Sequence, residues 1–122
     1  MKPLLHAKIS KKQHGGHVDD YLPIHNFIDS SKAHVPDIRH RAILHSSFGC
    51  YITEQLFGTY ITNSDGDMIS VRDLAEEHII QDLGFIPTVD KYLGNMKIQP
   101  WMSGTLKGHS KKTKSIIINL ED

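Results

Sequence analysis

Nine histidines occur in 122 residues, and several stand one helical turn from a carboxylate or an arginine. His25 precedes Asp29 by four, His78 precedes Asp82 by four, and His45 follows Arg41 by four. Residues four apart share a helix face. Imidazole ionises near neutral pH and is the commonest metal ligand. Together with carboxylate it suits Zn²⁺, Fe²⁺, Mn²⁺ or Ni²⁺. The expectation is a small metal-binding protein. His25, His45, His78 and Asp82 would hold a divalent ion, Zn²⁺ first among the candidates. Asp29 is a fifth ligand, the partner of His25's second nitrogen, or the catalytic base that takes a proton from metal-bound water. Arg41 offers a fork for an anionic group, so one reading is a metal-dependent hydrolase of a phosphorylated or nucleotide ligand. The plainer alternative is a structural core: the aspartates orient hydrogen-bonded histidines, and Arg41 pairs with Asp82 or Glu77.

Three helices must position these groups. The first is expected over 19–32, capped by Asp19 or Asp20, with Pro23 in its first turn and Ile24, Phe27 and Ile28 on its apolar face. The second spans about 37–56, from Pro36-Asp37 to Gly58. At 100° per residue, Ile38, Ala42, Gly49, Ile52 and Leu56 form its stripe, with His45 in the middle and His40 nearly opposite. The third runs over 71–83, with Ser70 as cap and Gly84 as stop. His78 and Asp82 project from the centre of its face of Val71, Leu74, Ala75 and Ile79. A polar group on an apolar face is costly unless satisfied. Packing therefore brings His45 to His78 and Asp82, and His25 with Asp29 closes the site.

The connecting segments complete the expectation. Residues 59–62 and 68–71 read as strands around an Asp65-Gly66 turn. A short helix follows at 88–94, and Trp101 and Met102 are expected to cover the core. Residues 1–18 lack periodicity and read as an N-terminal arm, so His6, His14 and His17 carry little weight there, like His34 and His109 in loops. Residues 19–104 make a single globular domain. Residues 105–122 are a flexible basic linker (Lys111, Lys112, Lys114) ending in a candidate C-terminal strand, Ser115–Leu120. The fold class is α+β, mainly α: a three-helix core with a small β-hairpin.

Composition narrows the rest. Lys plus Arg equals Asp plus Glu at 14 each, which gives no global pull toward nucleic acid or membrane. The single Cys50 excludes an internal disulfide and fits a reducing compartment. No apolar run approaches the roughly 18 residues that span a bilayer, and the apolar stretch in Met1–His6 is too short for a signal peptide. A cytoplasmic protein is expected. There is no adjacent His-Asp pair and no His-Glu-x-x-His, and Gly104–Ser110 lacks the ending of a phosphate-binding loop.

Three segments also carry a resemblance. Tyr21-Leu22-Pro23-Ile24-His25, Arg39-His40-Arg41-Ala42-Ile43-Leu44-His45 and the run from Glu77-His78 through Asp82-Leu83-Gly84 to Pro87 resemble a family of small uncharacterised phage and bacterial proteins. The resemblance covers roughly residues 14–103. It implies a phage or prophage origin, hence the host cytoplasm, and no particular activity. It raises an alternative function: a non-enzymatic phage accessory protein. Such a protein would bind a host protein or self-associate as a homo-oligomer, adding its C-terminal strand to another sheet.

Overall fold

A computed structural model describes residues 1–104. Its elements are α1 (Pro3–His14), α2 (Val18–Ile28), α3 (Arg41–Leu44), α4 (Ser47–Phe57), β1 (Tyr60–Thr62), β2 (Met68–Ser70), α5 (Val71–Leu83) and α6 (Val89–Leu93). Short 3₁₀ turns occupy Ser30–Ala33, Ile38–His40 and Pro100–Ser103. The architecture is α+β, mainly α, with one antiparallel hairpin in which Ile61 pairs with Ile69. No helix among the described residues is long and apolar enough to cross a membrane. The expected C-terminal linker and strand lie outside the described residues.

α5 is the central scaffold. Ser70 accepts a hydrogen bond from the Asp73 N–H at 3.2 Å, and Gly84 ends the helix in the left-handed conformation at φ 83°. Val71, Leu74, Ala75 and Ile79 are buried against Tyr21, Ile24 and Ile28 of α2 and Leu44 and Cys50 of the following helices. Each large aliphatic side chain so buried contributes about 1.5–3 kcal/mol. The hairpin feeds directly into α5. Its turn is tied by Asn63 Oδ1, which accepts from the Asp65 and Asp67 N–H groups, and by Asp20, which accepts from the Ser64 N–H.

The chain departs from expectation in four places. Residues 3–14, expected within an arm, form α1. Pro3 starts it without wasting an N–H, but its buried positions are His6, Ala7 and Ser10, so it shows no apolar periodicity. α2 begins at Val18, where the Asp20 carboxylate accepts from the His17 N–H, so Pro23 falls in its interior rather than its first turn. The long helix expected over 37–56 is broken at His45, whose backbone turns to ψ 60°. Ser46 then caps α4 by accepting from the Gly49 N–H at 3.0 Å, and the freed His45 carbonyl accepts from the Tyr92 hydroxyl. A Cβ on Gly49 would sit 1.7 Å from the Leu44 carbonyl oxygen, so the corner tolerates only glycine. The break also reorders the expected stripe: Ile38, Phe48 and Leu56 are exposed, while His40 is buried on Ser31. Lastly, Trp101 and Met102 are exposed and do not cover the core.

Candidate metal centre

Three chain segments deliver four side chains to one buried point. Asp29 follows the last turn of α2, His45 stands at the α3–α4 corner, and His78 and Asp82 lie one turn apart on α5. The side chains of His45, His78 and Asp82 are at most 1% exposed, and that of Asp29 is 7% exposed. His45 Nε2 lies 3.1 Å from Asp82 Oδ2 and 3.3 Å from Asp29 Oδ1. His78 Nε2 lies 3.4 Å from each of the same two oxygens. These four residues offer ligand atoms within 4.8 Å of one another and could hold a metal ion.

The distances bear on both a hydrogen-bonded cluster and a coordination sphere. Charge-assisted N–H···O⁻ bonds contract to about 2.7–2.9 Å. Four ligands at about 2.0–2.1 Å around a tetrahedral ion stand ~3.3 Å apart. The observed 3.1–3.4 Å edges match the second figure, and the shortest, His45 Nε2 to Asp82 Oδ2, also fits an ordinary N–H···O bond. Three buried polar atoms also lack a hydrogen-bond partner: Asp29 Oδ2, His45 Nδ1 and His78 Nε2. Of these, His78 Nε2 is the one that faces the cluster; His45 Nδ1 is the far nitrogen of a ring whose Nε2 meets the carboxylates, and Asp29 Oδ2 is the second oxygen of a carboxylate whose Oδ1 meets the imidazoles.

Proton counting assigns the His78 tautomer. The Ser10 hydroxyl donates to the His6 carbonyl at 3.1 Å. Its only proton is thereby used, so His25 Nε2–H must donate to Ser10 Oγ at 2.8 Å. His25 Nδ1 is then a lone pair, and His78 Nδ1–H donates to it at 2.9 Å. In its neutral form His78 therefore presents the Nε2 lone pair to the cluster, as a ligand must.

The surrounding charges shift the titration of each of these groups. Burial alone would raise the Asp29 and Asp82 carboxyls. The contacts of His45 and His78 with Asp29, and of His78 and the Met1 amino group with Asp82, hold both well below the usual carboxylate range instead. Burial pushes His25 down to about 3, with His78 and His6 adding to the effect, so that ring is neutral. His6 is lowered by burial and by His78. Burial opposes the charging of His78, yet its contacts with Asp29 and Asp82 raise it.

The residues read from sequence are thus placed as follows. His45, His78 and Asp82 converge with Asp29. His25 is completely buried but meets the far nitrogen of His78 rather than the ion position. Arg41 is not in the cluster; it lines a separate cavity with Leu83 and Tyr92. Glu77 pairs with His14 at 3.0 Å, not with Arg41. His6 went unrecognised in the sequence. It reaches Asp82 Oδ1 with Nε2 at 3.1 Å and Gln81 Oε1 with Nδ1 at 2.6 Å. The available signal was the four-residue repeat His6, Ser10, His14, whose members meet α5, α2 and α5 in turn.

His6, His25 and His78 form a second group close enough to share an ion. Their rings argue against it. His6 stacks on His78 with centroids 3.7 Å apart and planes 19° from parallel. Imidazole lone pairs lie in the ring plane, so stacked faces direct them past a common point. His45 and His78, at 68° to each other, are free to converge.

The chain belongs to the family described as Domain of unknown function (DUF6915), whose model matches residues 1–102 and so includes α1. No curated protein and no solved structure matches the chain.

Proposed function

We propose that this DUF6915 protein binds one divalent transition-metal ion, Zn²⁺ by preference, through Asp29 Oδ1, His45 Nε2, His78 Nε2 and Asp82 Oδ2. The observation that carries the reading is the convergence of these four buried atoms, with imidazole-to-carboxylate edges of 3.1–3.4 Å, on the otherwise unpartnered His78 Nε2. Two imidazoles and two carboxylates form a complete tetrahedral set, and their burial supports a closed centre that holds the helices together. His25 and His6 act behind the ligands, on His78 Nδ1 and Asp82 Oδ1 respectively.

Hydrolysis of a phosphorylated or nucleotide ligand is the second reading, and Asp29 Oδ2 favours it. That oxygen is buried and unpaired beside the ion position, so it is the acceptor available for a proton from a bound water. Its test is phosphatase activity in the metal-loaded protein that Asp29→Asn removes.

The experiment for the main reading uses protein purified without a histidine tag, stripped by chelator and returned to Zn²⁺ or Co²⁺. One ion per chain and the visible bands of four-coordinate Co²⁺ are expected, both lost in His45→Phe and in Asp82→Asn. Less than about 0.2 ion per chain after incubation with Zn²⁺ or Mn²⁺ would overturn it, because a built site fills by mass action.

A further inference from the structure

A second cavity lies beside the histidine cluster without opening on any of its four ligands. It measures about 320 Å³, within the range of roughly 300–1,000 Å³ that small-molecule sites occupy. Its walls are Ile38, Leu83, Phe85 and Pro87, with Tyr92 as a fixed face: the Tyr92 hydroxyl donates to the His45 carbonyl at 2.8 Å, so the ring cannot swing out freely. Ile38 is 73% and Phe85 48% exposed, so an apolar guest would take substantial surface out of water.

Two cations complete the lining, Arg41 and Lys91, and no carboxylate does. Lys91 Nζ is held 5.3 Å from the centroid of the Phe85 ring. Arg39 pairs with Asp37 and Arg72 with Glu76, but Arg41 has no acidic partner among the described residues. A guanidinium at the edge of an apolar cavity, with its fork free, is complementary to a carboxylate or phosphate on a greasy body.

We propose that this cavity binds a small amphipathic anion, an apolar body bearing a single carboxylate or phosphate head. The head meets Arg41 and Lys91, and the body covers Ile38, Leu83 and Phe85. The site is independent of the metal reading.

The test is an NMR titration of the full chain with octanoate, octyl phosphate, octan-1-ol and octylammonium. The two anions should shift the Arg41, Phe85 and Tyr92 amides saturably. Octanol should bind at least about tenfold more weakly, since a charged hydrogen bond is lost, and octylammonium should not bind there. The stronger of the two anions identifies the head group. Arg41→Met should weaken octyl phosphate about tenfold and leave octanol unchanged. Phe85→Ala, at a half-exposed position, should weaken all three guests that bind. Equal binding of octanol and octyl phosphate, shifts centred instead on exposed Phe48 and Tyr51, an unaffected Arg41→Met protein, or no binding by any probe would each overturn the proposal.

Discussion

If the cluster holds an ion, His25→Phe separates a residue that binds it from one that positions a ligand. Phenylalanine keeps a flat ring in the space of the imidazole, so packing changes little. It removes the Nδ1 acceptor at 2.9 Å from His78 and the Nε2–H donor at 2.8 Å from Ser10. Ser10 keeps its bond to the His6 carbonyl, so the main loss falls on His78 Nδ1–H, a buried donor left alone. That costs about 1–3 kcal/mol in the metal-free protein, or a fall in Tm of roughly 5–10 °C for a domain of this size. Loss of the group behind a metal-bound histidine weakens the ion by about 10–100-fold. The stoichiometry should stay at one ion per chain. The Co²⁺ spectrum should keep its band positions, because no ligand has changed. Competition titration against a chelating dye measures the affinity, and visible absorption reads the coordination. If His25→Phe shifts the Co²⁺ bands or abolishes binding as His45→Phe does, His25 is itself a ligand and the tautomer argument fails.

Two further perturbations test the fold around the site. The metal-stripped protein should lose stability between pH 7 and pH 5. His25 faces His78 from α5, His6 and Ser10 from α1, and Asp29 and Asp82, and in the folded chain it is held at about 3. The unfolded chain takes up a proton near pH 6.5 that the folded one refuses. This contribution is therefore full above 6.5 and lost as pH falls toward 3, at up to about 1.4 kcal/mol per pH unit. His6 and His40 are lowered in the same sense. His78, raised, works the other way: its contribution is full below 6.5 and lost as pH rises through its folded value, so it leaves the acid slope intact. Urea midpoints that stay flat or rise from pH 7 to 5 would contradict this. Gly49→Ala should open the α3–α4 corner, because the added carbon collides with the Leu44 backbone. A loss above about 3 kcal/mol by denaturant unfolding is expected, together with weaker ion binding through displaced His45. A loss under about 1 kcal/mol would show that the corner relaxes easily.

The parts legible in sequence were those where local signals agree with one another. α5 carries its cap at Ser70, its stop at Gly84 and the apolar residues Val71, Leu74, Ala75 and Ile79 on one face, and the hairpin carries Asp65-Gly66 between short β-rich runs. His45, His78 and Asp82 were placed together because polar groups on apolar faces must find each other. α1 was hidden because it packs through His6, Ser10 and His14, and a polar stripe has no hydrophobic period. The break at His45 was hidden because periodicity counts angles and ignores a serine able to cap a new helix. That Asp29 reaches the cluster while His25 meets the far nitrogen of His78 depends on which ring nitrogen faces which atom. That is set by Ser10, whose position follows only from the docking of α1.

The four converging atoms come from positions 29, 45, 78 and 82, so an ion held there would be a covalent-like staple across about half of the described chain. In a protein with a lone, buried cysteine, it takes the place of a disulfide. Holding those points together removes loop-closure entropy from the unfolded ensemble, a term that grows only slowly with loop length and reaches about 3–4 kcal/mol for cross-links of this span. The long-range contacts between α2, the corner and α5 are the slow ones to form. A chain that meets its ion early would have those long-range contacts pinned, while α1, packed mainly on its neighbour α2, docks through local ones.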